Sequence, residues 1–291
     1  ATTLAALAIG PAALPDRETV RRWGLETLDA IRRDFRPDPD GYYRDKMKEE
    51  MPAFNWGVGI LLSAMAELPR KNAEWRAEAV RYATKTRSYW NPVGPVPGYD
   101  VLPTPKPVDR YYDDNAWMVM SLSDLSHATG RPEFRAHAAE AMVYVLSGAS
   151  PDGSIYWRES DKASRNTCSN APVAAALLAL YEKDKNPDRL ARAEFLYDWT
   201  YRTLRDPADD LMWDAITNDG KIEKTKWSYN TALMARSAAE LFRFTKKARY
   251  RKEAIAFAKA GRAKWVREDG AMTDESQFAH LLLESFWFVK R

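Results

Sequence analysis

A single cysteine, Cys168, stands in 291 residues, so no internal disulfide can form, and only three histidines accompany it, His127, His137 and His280. Without a Cys/His cluster there is no zinc site to propose, and neither a metal nor another cofactor is expected. No apolar run approaches the ~20 residues needed to cross a bilayer. Charge of one sign is missing too: 44 Lys and Arg against 41 Asp and Glu leave +3, with no dense basic block, which argues against a nucleic-acid partner. Strand patterning is scarce throughout.

What is present is an ordinary globular balance, 45% hydrophobic and 29% charged, enough to bury a core. The length fits one large domain, read here as residues 16–291 behind an arm of residues 1–15. That arm is small, apolar and uncharged. It is either the remnant of a signal-peptide cleavage region, which would place the protein outside the cytoplasm as a secreted, extracellular or periplasmic protein, or an ordinary N-terminal arm. The aromatic content is high, with 11 Trp, 14 Tyr and 10 Phe. Such rings serve either as packing between helices or as flat platforms in a wet concave site.

Apolar periodicity near 3.6 predicts ten helices, over 17–35, 53–68, 72–90, 113–129, 131–147, 169–184, 187–204, 228–244, 247–265 and 275–290. They alternate in character. The odd ones carry one apolar stripe; the even ones, such as Ala116-Trp-Met-Val-Met120, are apolar nearly all round and must be enclosed by protein. Trp56, Asp114, Asn170 and Asn230 each stand near the start of an enclosed helix at similar intervals, a helix-hairpin array. The expected fold is all-α, an (α/α)6-type toroid of inner and outer helices, either closed irregularly or incomplete at the C-terminus. Long polar and aromatic loops lead into the inner helices and short ones leave them, so one mouth of the toroid is the working face.

At that mouth the sequence places Asp109-Arg-Tyr-Tyr-Asp-Asp-Asn-Ala-Trp117. Adjacent aspartates at a helix start commonly cap it. Here Asp113 and Asp114 are bracketed by Tyr111, Tyr112 and Trp117, which suits chemistry better. A retaining glycosidase needs two carboxyl groups about 5–5.5 Å apart, and like charges that close push one proton affinity up, leaving an acid available near neutrality.

Four stretches, Tyr111-Tyr-Asp-Asp-Asn-Ala-Trp117, Gly153-Ser-Ile-Tyr-Trp157, Arg165-Asn-Thr-Cys-Ser-Asn-Ala171 and Trp227-Ser-Tyr-Asn230, resemble the glycoside hydrolase family 76 α-1,6-mannanases over residues 50–290. The resemblance implies an (α/α)6 barrel and internal cleavage of α-1,6-linked mannan with retention, Asp113 acting as nucleophile and Asp114 as acid/base. A polysaccharide or oligosaccharide, an α-mannan, is the expected partner, and the chain is expected to be a monomer. The substrate-binding candidates are Tyr111, Tyr112, Trp56, Tyr156, Trp157, Asn166, Asn170, Trp227, Tyr229 and Asn230. Asn170 has a capping alternative, and Trp56, Trp157 and Trp227 a core one. Cys168 reads as a small packed residue without redox function.

Two other readings stay open. An unsaturated glucuronyl hydrolase-like enzyme shares the toroid and would use Arg110, Arg158 and Arg165 against a uronate. A non-catalytic glycan-binding relative would keep the groove alone. A sugar isomerase fits less well, since such enzymes lean on histidine pairs that this chain lacks.

Overall fold

The computed structural model describes residues 16–290 except 37, 69–71 and 104–107; the arm of residues 1–15 lies outside the described residues. The chain divides into two compact units, one up to Pro52 and one from Ala53 onward. The first holds α1 (Arg17–Phe35), started by Asp16, whose carboxylate accepts from the Thr19 N–H.

The second unit runs α2 (Asn55–Ala66), α3 (Ala73–Lys85), β1 (Trp90–Asn91), β2 (Gly98–Tyr99), α4 (Tyr112–Thr129), α5 (Pro132–Ser147), β3 (Ser164–Asn166), α6 (Thr167–Asp184), α7 (Pro187–Leu204), β4 (Ala215–Thr217), β5 (Ile222–Glu223), α8 (Ser228–Thr245), α9 (Ala248–Trp265) and α10 (Ser276–Lys290). The ten expected helices are all found. The stretch expected to continue α3 to residue 90 instead tightens into a 3-10 turn, Thr86–Tyr89.

The even helices pack side by side in the order α2, α4, α6, α8, α10, and each of the first four is backed by the odd helix that follows it. This is the alternation of an α/α toroid. Its physical basis is the near absence of polar surface on the inner helices: α6 buries Ala171 through Leu178 without interruption. Closure, left open by the sequence, is made by rings. Trp56 of α2 stands 6.0 Å from Phe278 of α10, and Tyr229 of α8 lies 6.2 Å from Trp56 and 5.8 Å from Phe278.

Each of α4, α6 and α8 leaves through a two-residue link whose first residue is left-handed: Gly130 (φ 74°), Lys185 (φ 55°) and Lys246 (φ 59°). In each, that residue's N–H returns to the carbonyl four residues back, ending the helix abruptly. Glycine signals only the first of these turns.

The opposite links are long and pinned by short strands, β1 with β2 and β3-β4-β5, all antiparallel. The fourth residue of each following helix clamps them. Asn115 accepts from the Tyr99 N–H and donates to the carbonyls of Tyr99 and Tyr111. Asn170 repeats this on Ile155 and Asn166, and the Thr231 hydroxyl accepts from the Met212 N–H. Among the described residues no helix is long and apolar enough to cross a membrane.

Candidate active site

The mouth is built by register. The second residues of four inner helices are Trp56, Asp113, Cys168 and Tyr229, and they form a connected group. Cys168 lies beside Asp113 and feels its charge, Tyr229 feels the charge of Asp113 and Asp114, and Trp56 meets the Tyr229 ring edge-on. The hydroxyl of Tyr229 accepts from Trp117 Nε1 at 2.9 Å, which fixes the ring from below.

Asp113 and Asp114 do not cap α4. The cap position belongs to Tyr111, which makes no side-chain capping bond. Asp113 is buried and held: Oδ1 accepts from the Asp114 N–H at 3.1 Å and Oδ2 from Trp157 Nε1 at 3.1 Å. Burial is the largest effect on its carboxyl and pushes its pKa up to about 7, against the pull of these donors. Asp114 is half-buried, and among the described residues no side chain or N–H donates to its carboxyl. Its proton affinity is raised well above the ordinary range, first by burial, then by the charges of Asp113 and Asp109. The pair therefore differs in kind: one carboxyl fixed by donors, one open and disposed to keep a proton.

Trp157 is exposed, and its ring stands edge-on to Tyr111 at 5.1 Å. The exposed indole is thus anchored to Asp113. Trp157→Phe keeps the ring and removes the donor to the ionised carboxylate. The pKa of Asp113 should rise further, by about one unit, as followed by carbon-13 titration of the carboxyl; an unchanged titration would show the bond to be idle.

Trp227 precedes α8 and lies 5.4 Å from Phe278, so it joins the closing aromatic group. Asn166 precedes α6 and is buried, its Oδ1 accepting from Ser164 Oγ at 2.6 Å. Asn230 is fully buried; its Nδ2 donates to Asp214 Oδ1 at 3.0 Å while its own Oδ1 has no partner among the described residues. Tyr156 is half-buried, and its ring joins neither the Tyr111–Trp157 pair nor the Tyr229 group among the described residues.

Two expected contacts fall elsewhere. Tyr112 is buried against α5, stacked on Tyr144 at 5.0 Å, with Gly148 beneath it where any Cβ would come within 2.6 Å of its ring. Asn170 spends its amide on the Ile155 and Asn166 backbone. The reason is rotational. A helix turns about 100° per residue, and Asn170 sits at the fourth position with Asn115 and Thr231, not with Asp114.

Register and burial bring in two further residues. Cys168, read as packing, shares the second position with Asp113. Asp214, before α8, has its proton affinity raised by burial. The arginines considered for a uronate are committed: Arg110 to Glu159, Arg158 to Asp109 and Arg165 to the Thr217 carbonyl. Among the described residues no group of three His, Cys, Asp or Glu is arranged to hold a metal ion.

An inner ring of helices presenting paired carboxyls and aromatic rings at one mouth defines an α/α toroid of the carbohydrate-active kind. The chain belongs to glycosyl hydrolase family 76, whose model matches residues 38–287. It is similar to a family 76 alpha-mannanase of Bacteroides thetaiotaomicron at 30% identity, with a TM-score of 0.87 over 94% of this chain and 78% of that one. It shares its fold with an inactive variant of the alpha-1,6-mannanase of Salegentibacter sp. HEL1_6, in which two adjacent aspartates are replaced by asparagine, solved with alpha-1,6-mannotriose (21% identity, TM-score 0.75, 92% of this chain and 80% of that one). The Meiotically up-regulated gene 191 protein of Schizosaccharomyces pombe is 24% identical over 200 residues, 60% of this chain; the match spans 43% of that protein's length.

Proposed function

We propose that the protein is a secreted glycoside hydrolase that cleaves α-1,6-linked mannan within the chain and retains anomeric configuration. The observation that carries this is the asymmetry of the pair: Asp113 is held by Trp157 and a backbone N–H, and Asp114 is open. The likeness to an alpha-mannanase and to a mannotriose-bound alpha-1,6-mannanase fold supports the choice of glycan.

In this mechanism Asp113, ionised and fixed by its donors, attacks the anomeric carbon, and Asp114 gives its proton to the leaving oxygen. The glycosidic bond breaks as the Asp113 ester forms. Asp114, now a carboxylate, takes a proton from water, whose oxygen attacks the same carbon and releases Asp113. Residues adjacent on one helical turn favour the short carboxyl spacing of this route over the ~6.5–9.5 Å that leaves room for water.

Proton NMR of an early digest of linear α-1,6-mannan tests it. The α anomer should appear first. A β product at first cleavage would remove Asp113 as nucleophile, and binding without turnover would support the glycan-binding alternative.

A further inference from the structure

Beside α4 lies an ion pair that this mechanism leaves unused. Arg158 donates to one oxygen of Asp109 from Nε at 3.1 Å and from Nη2 at 2.7 Å, and both side chains are about a third exposed. The Arg158 guanidinium also lies over the Tyr111 ring, 5.0 Å from its centre. Tyr111 packs on Trp157, and Trp157 holds Asp113. The Tyr111 hydroxyl feels Asp109, Arg158, Asp114 and Asp113 together, so these four charged groups converge on one ring. Asp109 in turn acts on Asp114.

We propose that the Asp109–Arg158 pair is a positioning element for the acid pair: Asp109 presents negative charge to Asp114, Arg158 partly cancels it, and the guanidinium fixes the Tyr111–Trp157 contact. This rests on Asp114 being the general acid. The charged or titratable groups facing Asp114 are Asp113 on its own helix, Asp109 before it, Tyr111 at the cap and Tyr229 from α8. Those facing the ion pair are Tyr111, Asp100 and Asp161. From outside the site Asp109 alone acts on Asp114, and Arg158 reaches it only through the ion pair with Asp109.

Removing the Asp109 charge makes Asp114 easier to ionise, so the alkaline limb of kcat moves down in pH. Removing Arg158 unmasks Asp109, so the limb moves up. The pair is partly solvated, so each shift should be about half a pH unit to one unit and should shrink on going from about 20 mM to about 500 mM salt.

The test is the pH profile of linear α-1,6-mannan hydrolysis by wild type, Asp109→Asn, Arg158→Gln and Arg158→Lys. The expected result is opposite limb shifts in the first two variants, while Arg158→Lys keeps the wild-type limb and raises KM because the planar contact with Tyr111 is lost. Carbon-13 titration of the Asp114 carboxyl reads the same shifts in any variant too slow to assay. Limbs that stay put, or move in the same direction, would show the pair to be structural only and overturn the proposal. Asp114→Asn runs alongside: if it keeps turnover, the hydrolase mechanism itself fails and takes this inference with it. If it is dead while the limbs do not separate, this inference alone fails.

Discussion

Asp113→Asn and Asp114→Asn should each lose turnover on α-1,6-mannan by about a thousandfold or more while folding at least as well as the wild type. Loss of a general acid alone costs ~10²–10⁴ in rate, and loss of the nucleophile removes the covalent route altogether. Stability should move the other way. Burial disfavours the charged form of both carboxyls, so the native state holds protons that the unfolded chain releases. Such groups contribute stability at low pH that is lost as pH rises through their raised pKa values. Asparagine keeps the shape and removes that loss, so thermal scans at pH 8 should show an unchanged or higher Tm. If the pair were only a local helix feature, asparagine would serve equally well and turnover would survive. Activity within tenfold of wild type in either variant would defeat the assignment.

Arg110→Met is the largest stability effect we expect. Arg110 is buried, with Nε 2.8 Å from Glu159 and 3.7 Å from the buried Asp100. It also donates to the carbonyls of Val93 and Val96, closing the loop between β1 and β2. Gly94 is built for this: its φ is 98°, and a Cβ there would meet Arg110 Nη2 at 2.9 Å. Removing the cation strands a buried carboxylate and two carbonyls, at a cost of about 3–5 kcal/mol, or a Tm lower by roughly 6–15 °C for a unit of this size. Burial already raises the proton affinity of Asp100, and the Arg110 charge opposes that. Without Arg110 the affinity rises further, so the deficit should shrink as the pH falls from neutrality and the Asp100 carboxyl takes up a proton in the native state. Adding Asp100→Asn should recover part of the loss. Calorimetry of the two variants decides it, and a single variant melting within a degree of wild type would show that Arg110 holds nothing.

The helices and their alternation were legible because enclosed helices need apolar residues on all sides, a property written along the chain. The place of Asp113 and Asp114 was legible for a related reason: two acids between aromatic rings stand in the first turn of a helix that the apolar pattern encloses. The short strands were not, since two or three residues cannot display a two-residue period. The left-handed ends at Lys185 and Lys246 were hidden because lysine carries no turn signature, and tertiary packing imposes the conformation that glycine takes freely at Gly130.

Register marks the boundary between the two. Ten helices, their inner and outer roles and the residues near each inner helix start could be read along the chain. Which of those residues face one another was fixed by how the helices pack. Two positions turn a side chain by about 200°, which separates Asn170, clamped to its own loop, from Cys168, which lies beside Asp113. The same packing put Tyr112 against Tyr144 and closed the ring through Trp56 and Phe278. These outcomes depend on where helices from distant parts of the chain come to rest, and no local pattern of residues carries that information.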